Sequence, residues 1–353
     1  MQDLPADLLD YPFDTRHVAT EPAHPRDAAR LMVIDRASGT VEHAHVRDLG
    51  RWIGAGDALV VNRSSVLRAR LRMEGTEGLL LEPCADGCWR MMLRRAKRYA
   101  AGDRLALVGP HGPTGDAVTL VARDAEAWRV RIEAGPAGGT EAEVIERSGW
   151  TPLPPYILKA RESRHEQGDD DADRLEYECV YADAAARGSV AAPTAGLHFT
   201  DGLLASLDAR GVRRAEVVLH VGAGTFRPVD ASTLSAHPMH AERMLVPAAT
   251  AALLNARPRP RIVAVGTTVV RALESLGEPV PAQGWSGETS ILIAPGHRFR
   301  HVDAMMTNFH LPRSTLLALV GAFVGLERLK ELYALAQRED YRFYSFGDAM
   351  LIL

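Results

Sequence analysis

The residues best suited to chemistry lie in the second half of the chain. His198, His220 and His310 are candidate general bases, and Asp348 is the matching carboxylate. His198 lies in the run AAPTAGLHFT (191–200), where Thr194 and Gly196 sit among small residues ahead of a helix start. His220 opens LHVGAGTFRPV (219–229); Gly222 and Gly224 there let a ligand approach the backbone, and Thr225 and Arg227 offer hydrogen bonds. Val265-Gly266-Thr267-Thr268 reads as a strand–turn–helix junction, whose free N–H groups and hydroxyls could hold a carboxylate. Asn308 and His310 precede a further helix start, and Arg342 and Asp348 lie in an aromatic segment near the C-terminus. Arg271 and Arg342 are the guanidinium candidates for gripping a carboxylate in two places. Each pattern also has a plain structural reading: paired glycines close tight turns, threonines cap helices, and a single histidine is often a satisfied core residue.

The elements that must position these groups follow from periodicity. Residues 31–35 and 40–46 are β-rich and joined by Arg36-Ala37-Ser38-Gly39, which predicts a hairpin. Residues 47–53 form a short helical stretch, and the apolar run 58–62 suits a strand buried on both faces that ends at Asn62. Between about 67 and 150, short β-rich runs alternate with glycine turns, the pattern of a small barrel or sandwich. Thr151-Pro152-Leu153-Pro154-Pro155 is a stiff connector, and the polar residues 161–173, with Asp169-Asp170-Asp171, read as a mobile loop.

Beyond about 175, strands and helices alternate. Thr200 caps a helix through Ala209, stopped by Gly211. Residues 212–221, 261–265 and 291–293 read as strands, 269–276 as a helix, and Pro312 and Ser314 start a long apolar helix. The expected fold is an α/β domain with helices on the sheet faces (1–66 and 151–353) carrying an inserted β-barrel domain (67–150).

Composition limits the function classes. The chain of 353 residues is 46% hydrophobic and 24% charged, a soluble globular profile with no run long enough for a membrane helix and no basic apolar leader. A cytoplasmic monomer is expected. Cys84 and Cys88, with three residues between them, and Cys179 are the only cysteines, too few for a zinc site, so no metal is expected. The net charge of −4 does not attract nucleic acid as a whole. Local basic patches could do so: Arg68, Arg70 and Arg72, and then Arg94, Arg95, Lys97 and Arg98.

Together the motifs resemble the S-adenosylmethionine:tRNA ribosyltransferase-isomerases of queuosine biosynthesis. The matching segments are AAPTAGLHFT, LHVGAGTFRPV, HPMHAE (237–242), AVGTTVVRALES (264–275), TNFHLPRSTLL (307–317) and YRFYSFGDAMLI (341–352). Arg26-Asp27, Arg30-Leu31, Gly56-Asp57, Leu153-Pro154-Pro155-Tyr156 and Val180-Tyr181-Ala182 extend the likeness over most of the chain. The resemblance implies S-adenosylmethionine as co-substrate. Its ribosyl part is moved and isomerised onto the 7-aminomethyl-7-deazaguanine of tRNA, giving epoxyqueuosine-tRNA, adenine and methionine. It also implies an α/β fold with an inserted barrel, and no metal.

The likeness breaks in clustered places. Where the family reads Asn-Asp-Thr-Arg-Val-Ile-Pro-Ala-Arg-Leu, this chain has Arg63, Ser64, Ser65 and Arg68 in place of the Asp, Thr, Arg and Pro. Met73-Glu74-Gly75-Thr76-Glu77-Gly78 stands where the family has Lys and Thr-Gly-Gly at the barrel start. Glu176 and Glu178 replace an Arg and a Gln of Arg-Tyr-Gln-Thr-Val-Tyr. Added to the acidic stretch before them, these changes disfavour a polyanion nearby. Two acceptors therefore stay open: the family's tRNA, or a different, small-molecule acceptor.

Overall fold

Burial separates two kinds of strand. The run Asp57–Asn62 is buried at every position, the signature of a strand covered on both faces, whereas residues 77–81 of Thr76–Pro83 and residues 90–93 of Trp89–Leu93 alternate half-buried and buried. The computed structural model describes residues 4–124, 127–222, 224 and 229–353. It places the first kind in a nine-stranded sheet and the second in a seven-stranded one.

Across the larger sheet the order is Gly284–Thr289, Glu242–Pro247, Arg213–Leu219, Asp57–Asn62, Arg261–Val265, Ala304–Asn308, Ala349–Ile352, Arg30–Ile34 and Val41–His45. The four strands from Arg213–Leu219 to Ala304–Asn308 run parallel, and antiparallel pairings extend them on both sides. The expected hairpin is the antiparallel pair Arg30–Ile34 and Val41–His45. Leu59, Val61, Val263 and Val265 pack on one sheet face against Phe199 and the helix Asp201–Ala209, with Leu203, Leu204 and Leu207 turned inward. Ala58, Val60, Ile262 and Ala264 face the other way, onto the helices Thr267–Glu274 and Thr315–Val324. This three-layer arrangement is the expected α/β fold. As in other open α/β sheets, the parallel strands open a crevice at their carboxyl ends.

The smaller sheet spans Arg70 to Trp150 in the order Gly149–Trp150, Arg70–Met73, Thr76–Pro83, Trp89–Leu93, Trp128–Glu133, Gly112–Arg123 and Arg104–Gly109. A pairing of Met73 with Leu107 joins strand Arg70–Met73 to strand Arg104–Gly109 and closes six of these strands into a barrel. Leu71, Leu80, Met91, Val118, Leu120 and Trp128 fill the interior. The helix Glu141–Ser148, started by a Thr140–Glu143 capping box, turns Val144 and Ile145 onto that interior. Strand Gly149–Trp150 then pairs beside Arg70–Met73, so the chain leaves the barrel next to where it enters.

Two expectations about elements change. Residues 161–173 are a loop only between 164 and 169: the helix Pro155–Ser163 runs into the stretch and the helix Asp170–Glu176 starts at its N-cap Asp169. The stretch is tied together by Arg161, which bonds both oxygens of Asp173 at 2.7 Å. Residues 291–293 are not a strand. The strand there is Gly284–Thr289, and the Ile291 N–H turns back to the Thr289 hydroxyl (3.2 Å) while Ile293 enters the core from a loop. The helix after Gly266 also starts two residues earlier than its apolar pattern suggests, at Thr267.

Candidate active site

The crevice at the carboxyl ends of the parallel strands is lined by five of the expected residues, Thr194, Thr267, Thr268, Asn308 and His310. Strand Arg261–Val265 ends at Gly266, whose φ of +91° is open to glycine and strained for other residues. The Gly266 N–H bonds Met306 O of the neighbouring strand (2.7 Å), and the helix Thr267–Glu274 leaves at once. Gly266, Thr267 and Thr268 form one wall of a cavity, with Thr194 and Ala195 of the short turn Thr194–His198 opposite. Asn308, His310 and Ser314 line it from the third strand end, and Tyr156 and Tyr344 from the C-terminal side, their ring centroids 4.9 Å apart.

Asn308, only 2% exposed, organises this wall. Its Nδ2 donates to the Tyr344 carbonyl (3.0 Å) and faces His198 Nε2 at 3.1 Å; its Oδ1 accepts from the Thr194 hydroxyl at 3.2 Å. A carbonyl only accepts, so Tyr344 fixes which end of the amide carries nitrogen. His198 Nε2 is therefore the acceptor, and this imidazole is neutral with its proton on Nδ1. Burial, with smaller repulsions from Arg342 and Arg26, pushes its pKa down to about 3. His198 stands behind Asn308 rather than on the cavity surface.

His310 does reach the surface. Its Nε2 shares a hydrogen bond with the Thr307 hydroxyl (2.8 Å). Its backbone is clamped by Tyr333, whose hydroxyl accepts from the His310 N–H (2.9 Å), and by Tyr11, whose hydroxyl donates to the His310 carbonyl (2.6 Å). Burial lowers its pKa to about 3 as well, so at neutral pH it is an uncharged base.

Val221 joins this cavity to a larger one, of about 780 Å³, between the α/β layers and the barrel. His220, Gly222, Gly224, His240 and Glu242 line that second space, with Trp89 and Glu141 across from them. Burial, then Arg243, lowers the His220 pKa. A side chain at Gly224 would meet the His240 ring at 2.6 Å, so the glycine permits that close approach. Thr225 and Arg227 lie outside the described residues.

Other expected residues are occupied elsewhere. Gly196 is a packing glycine: a Cβ there would stand 2.0 Å from the Tyr181 hydroxyl. Arg271, 5% exposed, forms an ion pair with Glu242, 6% exposed, and donates to Ile291 O (3.3 Å); it lines neither cavity. Glu242 in turn accepts the Gly222 N–H at 3.1 Å. Arg342 is one-third exposed and pairs with Asp348 at 3.4 Å. Asp348 accepts the backbone N–H groups of Arg30 (2.9 Å) and Arg342 (2.8 Å), which ties two segments together away from both cavities.

Glu242 is the residue that motif reading passed over. Along Glu242–Pro247 positions 242, 244 and 246 point inward, and an acid at an inward position was the available signal. Tyr156 and Ser345, joined by their hydroxyls, carried no such signal.

Several carboxylates of the acidic stretch are tied to neighbouring groups, while Asp169 and Asp171 stay exposed. Glu178 accepts from the Ser65 hydroxyl (2.8 Å) and the Val66 N–H (3.1 Å), Glu176 meets His24 (3.3 Å), and Asp170 accepts the Thr151 N–H (2.8 Å). The substituted positions 65 and 178 are thus partners of one another.

A family model described as queuosine biosynthesis protein matches residues 6–352. A protein named S-adenosylmethionine:tRNA ribosyltransferase-isomerase from Sorangium cellulosum is 45% identical over 379 residues, covering 98% of each chain. One of the same name from Gluconacetobacter diazotrophicus is 44% identical, covering 100% of this chain and 97% of its own. The crystal structure of S-adenosylmethionine tRNA ribosyltransferase from Thermotoga maritima is similar with a TM-score of 0.54 and 33% identity, over 98% of this chain and 100% of that one.

Proposed function

The chain belongs to the queuosine biosynthesis protein family, and from that premise we propose that it is an S-adenosylmethionine-dependent ribosyltransferase-isomerase acting on tRNA. The reaction moves the ribosyl part of S-adenosylmethionine, with isomerisation, onto the 7-aminomethyl-7-deazaguanine of the tRNA. The products are epoxyqueuosine-tRNA, adenine and methionine. The observation that carries this is full-length identity of 44–45% to proteins that bear the activity in their names. In this reading residues 1–66 and 151–353 are the domain that binds the donor, and residues 67–150 are the inserted barrel domain. The protein works as a cytoplasmic monomer. No helix among the described residues is long and apolar enough to cross a membrane.

The crevice suits such a donor. The sulfonium acidifies the neighbouring ribose 5′ carbon, so a positioned neutral base can take its proton before adenine leaves. His310 is the base we favour because, among the candidate bases, it is the one that lines this cavity. The Tyr156 and Tyr344 rings offer aromatic faces to the cationic sulfur. His198, through Asn308, positions the wall. The tRNA acceptor is favoured over a small molecule because the relatives are named for tRNA. The exposed Arg94, Arg95, Lys97 and Arg98 of the barrel supply the basic surface. Incubation with S-adenosylmethionine and the aminomethyl-deazaguanine tRNA should release adenine and methionine in equal amounts and yield epoxyqueuosine on digestion. S-adenosylhomocysteine as the product would mean methyl transfer instead.

A further inference from the structure

The helix Thr267–Glu274 begins without a side-chain cap, because its N-cap is Gly266. The first amide with a carbonyl partner in this turn is that of Val269, bonded to Gly266 O at 3.2 Å. The N–H groups of Thr267 and Thr268 thus precede any intrahelical acceptor, at the positive end of the helix dipole. The neighbouring helix Thr315–Val324 solves the same problem internally, with the Ser314 hydroxyl accepting from Leu317 N at 3.1 Å.

A second observation marks the same spot. Thr268 is 8% exposed, and its hydroxyl is buried with no hydrogen-bond partner. Buried hydroxyls are nearly always bonded, so an orphan on a cavity wall points to an absent ligand atom. Gly266, Thr267 and Thr268 all line the smaller cavity. Its described lining residues include no Asp, Glu, Lys or Arg. Nothing there repels an anion, and no side-chain cation competes with the helix start. Arg271, one turn further along, is committed to Glu242.

We propose that the Thr267 and Thr268 amides and the Thr268 hydroxyl form a carboxylate site, and that its ligand is the carboxylate of the donor's methionine part. This rests on the reading of S-adenosylmethionine as the donor. It also sets a direction: with the carboxylate at the helix start, the adenosyl end extends past Val221 toward the cavity that faces the barrel.

Calorimetry on the full chain with S-adenosylmethionine and with decarboxylated S-adenosylmethionine tests it. The wild type should bind the decarboxylated compound about tenfold or more weakly, the usual scale for losing hydrogen bonds to a charged group. Thr268→Val, close to isosteric, should weaken S-adenosylmethionine by roughly five- to tenfold and leave the decarboxylated compound within about twofold. Thr268→Ser, which restores the hydroxyl, should recover most of the affinity. Equal affinity of the wild type for both compounds, or an equal loss of both in Thr268→Val, overturns the carboxylate site and leaves the donor assignment standing. Binding of neither compound to the wild type overturns both.

Discussion

Asn308 and His198 are joined in one direction only: the amide nitrogen, 3.1 Å from Nε2, donates, and the imidazole accepts. Replacing Asn308 by Asp removes that donor and sets a carboxylate against the Tyr344 carbonyl. Asn308→Asp should therefore lower kcat by about a hundredfold or more, with a smaller effect on donor affinity. Steady-state kinetics beside calorimetry measure the split. Near-normal turnover would remove this relay from the site.

Two buried neutral histidines make stability depend on acid. His198 and His310 take up protons near pH 6.5 when unfolded but only near pH 3 when folded. Below pH 6.5 the unfolded chain holds more protons, so stability is full above that pH and falls as pH drops toward 3. Each histidine contributes a slope of up to about 1.4 kcal/mol per pH unit in that window. Urea unfolding at pH 7, 6 and 5 should show the decline, and His198→Gln should flatten it by about one proton's worth. An unchanged slope in the variant would contradict the assigned charge state.

The pair Glu242–Arg271 should behave as a unit. Glu242→Gln leaves the buried Arg271 charge uncompensated and should cost about 3–5 kcal/mol. The double change Glu242→Gln with Arg271→Met should recover much of that stability. It should not recover turnover, because the amide oxygen left to accept the Gly222 N–H is neutral and holds it more weakly than the carboxylate. Recovery of both together would reduce the pair to a structural role.

Salt dependence reads the barrel surface. Changing Arg94, Arg95, Lys97 and Arg98 together to Ala should weaken tRNA binding. The log–log salt slope should fall by about 0.7–0.9 for each phosphate that is no longer neutralised. Gel-shift titration at several salt concentrations measures it, and an unaltered slope would place the tRNA on another face.

The large-scale plan was readable because it rests on repeated local signals. Glycine turns at short spacing marked the barrel, and fully apolar runs marked the central strands. Thr200 does cap its helix, accepting from Leu203 N at 3.1 Å. What sequence could not supply was pairing. Residues 161–173 are rich in charge, and composition alone does not reveal that Arg161 and Asp173 neutralise one another. The same holds at the site. Arg271 has the right chemistry for a carboxylate, but its partner Glu242 stands 29 residues away in sequence. Asp348 has the chemistry of a base, yet two backbone amides hold its oxygens.

The charge state of the crevice has a calorimetric consequence. With His198 and His310 neutral well above pH 3, the arrival of a cationic sulfonium can only push their proton affinity lower still. At pH 7 neither ring then carries the second, titratable proton that binding could release. These two histidines should accordingly add nothing to any difference in the heat of donor binding between buffers of high and low ionisation enthalpy, such as Tris and phosphate, and His310→Gln should leave that difference unchanged. The histidines of the crevice would admit the donor without exchanging protons with the solvent.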